Sequence, residues 1–261
     1  MYNNNFLINK FLSLDNVNEK TEYYMFCFGH AGSWSAMFQD WQKELSDNIA
    51  VIPIMLPGKG ERIDERAFSR MEPLVKSVSY VLKECTDKKI LLYGNCLGGL
   101  EAFEIGREME NEYGINIQHL FISAQESPKL VITDEPVHKL SDDEFMVKVK
   151  EKNGTPEEIF RNAQLRKMLV SGLKADFKIY ETYKYKGKKL PSFDITVFTG
   201  SSDNIKNEKV KDWSDETTGR CTFTEMNGDH FFAVSNYQML LRKIDSIINT
   251  RKGESNDEAI S

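Results

Sequence analysis

The stretch LLYGNCLGGLEAF, residues 91–103, begins as an apolar strand and ends as the start of a helix. Gly94, Cys96 and Gly98 stand at alternate positions across the junction, with Gly99 next. A strand-to-helix turn this sharp leaves no room for neighbouring side chains, so glycines must flank the residue at its apex. The pattern is G-x-S-x-G with a thiol in the hydroxyl's place. It puts Cys96 at a helix N-terminus, where the dipole and free N–H groups favour a thiolate. Three readings of Cys96 stay open: a nucleophile, a nucleophile with redirected chemistry, or a small residue in a tight turn.

The chain around this turn alternates two periodicities. Apolar, strand-like runs recur at YYMFCF (23–28), AVIPIML (50–56), ILLY (90–93), HLFIS (119–123), ITVFT (195–199) and CTFTE (221–225). Between them lie helical patterns: SAMFQDWQKEL, MEPLVKSVSYVLKE, GLEAFEIGREMENEY and NYQMLLRKIDSIINT. In the third, Ala102, Ile105 and Met109 fall on one helical face. Strands alternating with helices imply right-handed crossovers and a mostly parallel sheet, an α/β fold. Residues 124–193 break the rhythm, being far more than one crossover needs. They read as amphipathic helices over SDDEFMVKVKEK (Ser141 as cap), TPEEIFRNA (Thr155 as N-cap, Pro156 at the first helical position) and LRKMLVSGLKADFKIYETY. An insertion there sits above the sheet's C-terminal edge, and a lid is expected.

Two later loops carry chemistry. TGSSDNI puts Asp203 after the 195–199 strand, and NGDHFFAV puts His230 after the 221–225 strand. Nucleophile, acid and histidine, each on a loop after a strand, follow the order of the α/β-hydrolase triad. Asp229 is a rival acid, but adjacent residues on an extended loop point apart, which favours Asp203. The glycine-rich FCFGHAGSWSAMF follows the first strand and can offer a backbone N–H to an oxyanion. His30 is not required for catalysis, since His230 fills that role; His119 and His138 read as structural or exposed. MLPGKGERIDE reads as a polar surface turn.

At 261 residues the chain suffices for one large domain. The expected division is an N-terminal segment (1–20), one catalytic domain (21–251, lid about 124–193) and a disordered tail (252–261). A formal net charge of −6 argues against a nucleic-acid surface, which needs a concentrated basic face. No run approaches the roughly 18 apolar residues of a membrane span, and the N-terminus lacks a signal-peptide pattern; no membrane association and a cytoplasmic location are expected. The four cysteines show no metal-ligand spacing, and no metal is expected. Cys27 and Cys221 read as core, Cys85 as without a task. Lys148, Lys150 and Lys152 could form a basic patch on the lid, although a solvated helix face is the simpler reading.

Together these stretches resemble the stand-alone (type II) thioesterases that accompany nonribosomal peptide and polyketide synthases, from about Tyr23 to Asn249. FCFGHAGSWSAMF is similar to the family's F-P-x-A-G-G-S segment, LPGKGER to L-P-G-R-x-x-R, SAQESPKL to S-G-x-x-A-P-x-x, and GDHFF to G-x-H-F-F. LSDDEF, NGTPEEI and LKADFKIYETYKY are similar to the lid elements. The resemblance implies an α/β-hydrolase with a helical lid, acting on acyl thioesters held on the phosphopantetheine arm of acyl or peptidyl carrier domains. It places Cys96 as nucleophile, Asp203 and His230 as acid and base, and the amides of Ala31 and Leu97 as the oxyanion hole. It implies no cofactor of the chain's own, and a monomer. Cys96 for serine, Asn95 for histidine and Gly29–His30 for proline and an aromatic depart from the pattern. Hydrolysis through acyl-Cys96 is expected, with acyl transfer to another carrier thiol or an amine as the alternative. A carrier-binding protein of weakened catalysis is the third reading.

Overall fold

The structure, a computed structural model, describes residues 4–131, 135–151, 161–187, 189–205 and 207–258. Six parallel strands form one sheet: β1 (Tyr23–Phe28), β2 (Ile49–Pro53), β3 (Lys89–Asn95), β4 (Ile117–Ser123), β5 (Asp194–Gly200) and β6 (Cys221–Met226), in the order β2-β1-β3-β4-β5-β6. The α/β-hydrolase architecture expected from the sequence is the one observed. β-branched and aromatic runs make these strands, and side-chain alternation divides them between two cores. Tyr24, Phe26, Phe28, Ile90 and Leu92 face α2 (Met71–Leu82) and α3 (Leu97–Tyr113). Tyr23, Met25, Cys27, Leu91 and Tyr93 face the last helix, which contributes Leu240, Leu241, Ile244 and Ile248. Ala102, Ile105 and Met109 are fully buried, as the periodicity requires.

Several expectations are corrected. SAMFQDWQKEL forms two 3₁₀ turns, Ser35–Phe38 and Trp41–Glu44, instead of an α-helix. The ring of Phe38 stands edge-on to that of Trp41 at 4.8 Å, and both pack on Tyr93; with three residues per turn, positions i and i+3 share one face. The N-terminal segment forms α1 (Asn4–Phe11), whose end buries Phe11 and Leu12. MLPGKGERIDE is no mere surface turn. Arg62 is buried, donates to the Met55 carbonyl at 2.6 Å, pairs with Glu65 and lies over the Phe11 ring.

Between β4 and β5 lie α4 (Asp142–Glu151) and α5 (Ala163–Glu181). Ser141 caps α4 reciprocally with Glu144, and Asn162 caps α5 by accepting from the amides of Gln164 and Leu165. The helix start expected at Thr155 and Pro156 lies outside the described residues, as does Lys152. Lys148 is paired with Glu151. After β5 come α6 (Asn207–Lys211), α7 (Phe232–Ser235) and α8 (Tyr237–Glu258). α8 runs past Lys252 to Glu258.

Candidate active site

Parallel strands bring the C-terminal ends of β3, β5 and β6 to one edge of the sheet, and each end carries a chemical group. Cys96 is the residue between β3 and α3, with φ 53° and ψ −123°. A non-glycine residue with positive φ is strained, and at an elbow the strain thrusts the side chain out of the turn. The flanking glycines are sterically required. A Cβ on Gly94 would come within 2.2 Å of the Gly98 carbonyl oxygen, and one on Gly98 within 2.4 Å of that of Phe28.

His230 follows β6, and its Nδ1 lies 3.0 and 3.2 Å from the two carboxylate oxygens of Asp203, which follows β5. Asp203's side chain is almost wholly buried. Asp229 turns away and accepts from the Phe231 amide at 2.9 Å, as neighbouring residues on an extended loop should. With Nδ1 committed to Asp203, Nε2 is the ring nitrogen left for Cys96. Burial pushes the imidazole's pKa down; the hydrogen bonds and charges of Asp203 and Cys96 outweigh it and raise it to about 10. A carboxylate-held imidazole beside a cysteine is an arrangement in which the ring can take the proton of a nucleophile.

Leu97 opens α3, where helix geometry leaves the first N–H groups without intrahelical acceptors. Ala31 lies in the loop after β1, beside His30. The other histidines lie elsewhere. His119 Nε2 is 2.8 Å from Thr196 Oγ1 within the sheet, and His138 is bonded to Glu181 at the base of α5. Burial lowers the pKa of His30, whose Nδ1 faces the Ala31 carbonyl oxygen at 3.0 Å.

A cavity of about 540 Å³ opens between the β1 loop and Phe231, the residue after His230; Cys96, Asp203 and His230 do not themselves line it. Its walls come from the β1 loop (Ala31, Ala36, Met37), α4 (Met146), α5 (Val170, Leu173) and the segment after His230 (Phe231, Val234). They are mostly apolar, as acyl pockets are.

Three charged residues near the cavity escaped the sequence reading: Lys59 in LPGKGER, Glu101 on α3 and Asp176 on α5. Lys59 Nζ lies 2.8 Å from Asp176 Oδ2, with side chains only 11% and 3% exposed. Glu101 is buried, and its pKa is pushed up to about 7 by desolvation, against the pull of Lys59. The only signals available were the positions of these residues within motifs.

Residues 24–248 match the family described as Thioesterase domain. The chain belongs to the thioesterase family. Linear gramicidin dehydrogenase LgrE of Brevibacillus parabrevis is 30% identical over 238 residues, covering 90% of each chain. Gramicidin S biosynthesis protein GrsT of Aneurinibacillus migulanus is 28% identical over 235 residues, covering 89% of this chain and 92% of that one. Among solved structures, the type II thioesterase BorB from the borrelidin biosynthetic cluster superposes with a TM-score of 0.82 at 25% identity, over 90% of this thioesterase and 96% of BorB. The dehydrogenase name belongs to that relative alone; the family match and the hydrolase fold make this chain a thioesterase. Among its described residues no helix is long and apolar enough to cross a membrane.

Proposed function

We propose that this enzyme hydrolyses acyl groups from the phosphopantetheine arms of carrier domains in a nonribosomal peptide or polyketide synthase, by way of a covalent acyl-Cys96 intermediate. The observation that carries the proposal is the Asp203–His230–Cys96 chain at three strand ends, beside an apolar cavity. The names of GrsT and BorB support the biosynthetic setting. The enzyme works as a cytoplasmic monomer with no cofactor of its own, since the phosphopantetheine belongs to the carrier.

In this reading each group has a task. The Cys96 sulfur attacks the thioester carbonyl, and the amides of Leu97 and Ala31 receive the charge on its oxygen. As the intermediate collapses, the C–S bond to phosphopantetheine breaks and the leaving thiolate takes the proton of His230. Acylation removes the Cys96 charge, one of the influences holding that proton. Burial and Asp203 then act alone on the ring, which is left neutral to draw a proton from water. Water attacks acyl-Cys96, free acid departs, and the thiolate–imidazolium pair is restored. The cavity walls favour apolar acyl chains.

The cysteine itself favours a second reading. Attack by a thiol exchanges one thioester for another, a nearly balanced step, so acyl-Cys96 can pass its group to another carrier thiol or to an amine. Intact-protein mass spectrometry after mixing with an acyl carrier, with free acid and a second, empty carrier followed in parallel, tests both. An adduct on Cys96 that clears to free acid establishes hydrolysis. An adduct that moves to the second carrier establishes transfer. Carrier binding with no adduct overturns both in favour of a binding protein.

A further inference from the structure

The oxyanion loop is fastened to the lid. Two peptide units bound the Ala31 amide, and each is held. In the first, the His30 carbonyl accepts from the Ser33 amide at 3.0 Å and from Ser33 Oγ at 2.7 Å. In the second, the Ala31 carbonyl faces His30 Nδ1 at 3.0 Å, and the Gly32 amide donates to Asp176 Oδ2 at 2.7 Å. A carbonyl oxygen only accepts, so His30 Nδ1 carries the hydrogen. Of all these partners only Asp176 lies outside the loop, on α5.

α5 approaches closely enough to make the contact. Gly172 lies one turn before Asp176 on the same face, and a Cβ there would stand 2.5 Å from the Gly58 carbonyl oxygen. Lys59, next to Gly58, pairs with the same Asp176 oxygen that receives the Gly32 amide. Behind them Glu101 projects from α3, the helix that follows Cys96; its Oε1 is buried without a hydrogen-bond partner. A lone buried carboxylate on a lid helix is costly unless paired, and here the lysine is its counter-charge.

We propose that Asp176 is a positioning residue: held by Lys59, it fixes the Ala31–Gly32 peptide and so aims the Ala31 amide at the oxyanion, tying the seating of the lid helix to catalytic competence. This rests on the reading of Ala31 as an oxyanion donor. Asp176 touches no reacting atom. Its loss therefore slows steps that build charge on the carbonyl oxygen and leaves the thiolate of Cys96 as reactive as before.

Two double variants of the full chain, which lose Lys59 and the Asp176 charge alike, differ in the hydrogen bond from the Gly32 amide. Lys59→Met with Asp176→Asn keeps an oxygen to accept from Gly32; Lys59→Met with Asp176→Leu removes it. Each is assayed for acyl-Cys96 formation from an acyl-pantetheine thioester and for alkylation of Cys96 by iodoacetamide, which needs no oxyanion hole. The Asn variant should acylate within about threefold of wild type. The Leu variant should fall roughly 10- to 100-fold in the acylation rate constant, the cost of misplacing one donor, with KM and the alkylation rate unchanged. Equal acylation by the two variants overturns the proposal, as does a parallel fall in alkylation or a change confined to KM. If wild type forms no acyl-Cys96 at all, the underlying reading of the site fails instead.

Discussion

Asp203→Asn tests the electrostatic core of the site with little change of shape. The carboxylate lies 3.0 and 3.2 Å from His230 Nδ1. At an effective dielectric constant near 20, unit charges about 3 Å apart attract by about 5 kcal/mol. Part of that is offset by the carboxylate's own desolvation, since Asp203 is 2% exposed, and part is screened, since His230 is 31% exposed. Asparagine still offers Nδ1–H an acceptor. The net loss should be about 2–4 kcal/mol, or roughly 30- to 1,000-fold in the acylation rate. The sign follows from the causes of the His230 shift. Asp203 and Cys96 raise the imidazole's pKa against burial, to about 10, so the wild-type ring keeps its proton to that pH. Without Asp203 it loses the proton at lower pH and stabilises the thiolate less, so alkylation of Cys96 by iodoacetamide should begin at higher pH. Rapid-quench mass spectrometry of acyl-Cys96 and the pH profile of alkylation read the two effects. An Asp203→Asn enzyme within about threefold of wild type in both would refute the triad assignment, the more so if Asp229→Asn were the damaged variant.

Three further outcomes are expected. Cys96→Ser should retain hydrolysis but transfer little acyl group to a second carrier, because the oxoester lies below the thioester; the ratio of free acid to acyl-carrier measures it. Val170→Trp fills part of the cavity and should lower kcat/KM for long acyl thioesters by roughly tenfold or more while sparing acetyl, seen in a chain-length series. Glu101→Gln should raise the melting temperature at pH 8 by roughly 2–4 °C and flatten its pH dependence. The buried carboxyl, with its pKa pushed up to about 7, is held protonated by the folded state; stability is therefore lost between the unfolded value near 4.5 and about pH 7. Unchanged melting profiles would count against that burial cost.

What the sequence could express was whatever depends on neighbours along the chain. Apolar runs located the six strands, and period-3.6 patterns located α2, α3 and the start of α8, within a few residues, because burial on a buried sheet and on one helix face is written locally in the chain. Gly94 and Gly98 marked the elbow because its sterics are local. The loops bearing Asp203 and His230 could be named because each directly follows a strand, and a parallel sheet delivers such loops to one edge. Local patterning misled where distant contacts decide the outcome. SAMFQDWQKEL looks helical in isolation, yet the Phe38–Trp41–Tyr93 ring cluster draws it into 3₁₀ turns. The choice of Asp203 over Asp229, favoured by the opposed directions of neighbouring loop residues, is met in the structure: Asp203 lies against His230 Nδ1 while Asp229 caps the Phe231 amide. Tertiary structure alone joined Lys59, Glu101 and Asp176, residues from three separate segments whose charges are tolerable in a low-dielectric interior only because the fold sets a cation against a carboxylate. The sequence by itself determined the sheet, the elbow and the three chemical groups. The raised imidazole pKa of His230, and the tie from Gly32 in the β1 loop to Asp176 on α5, exist only once burial and through-space charge act on them.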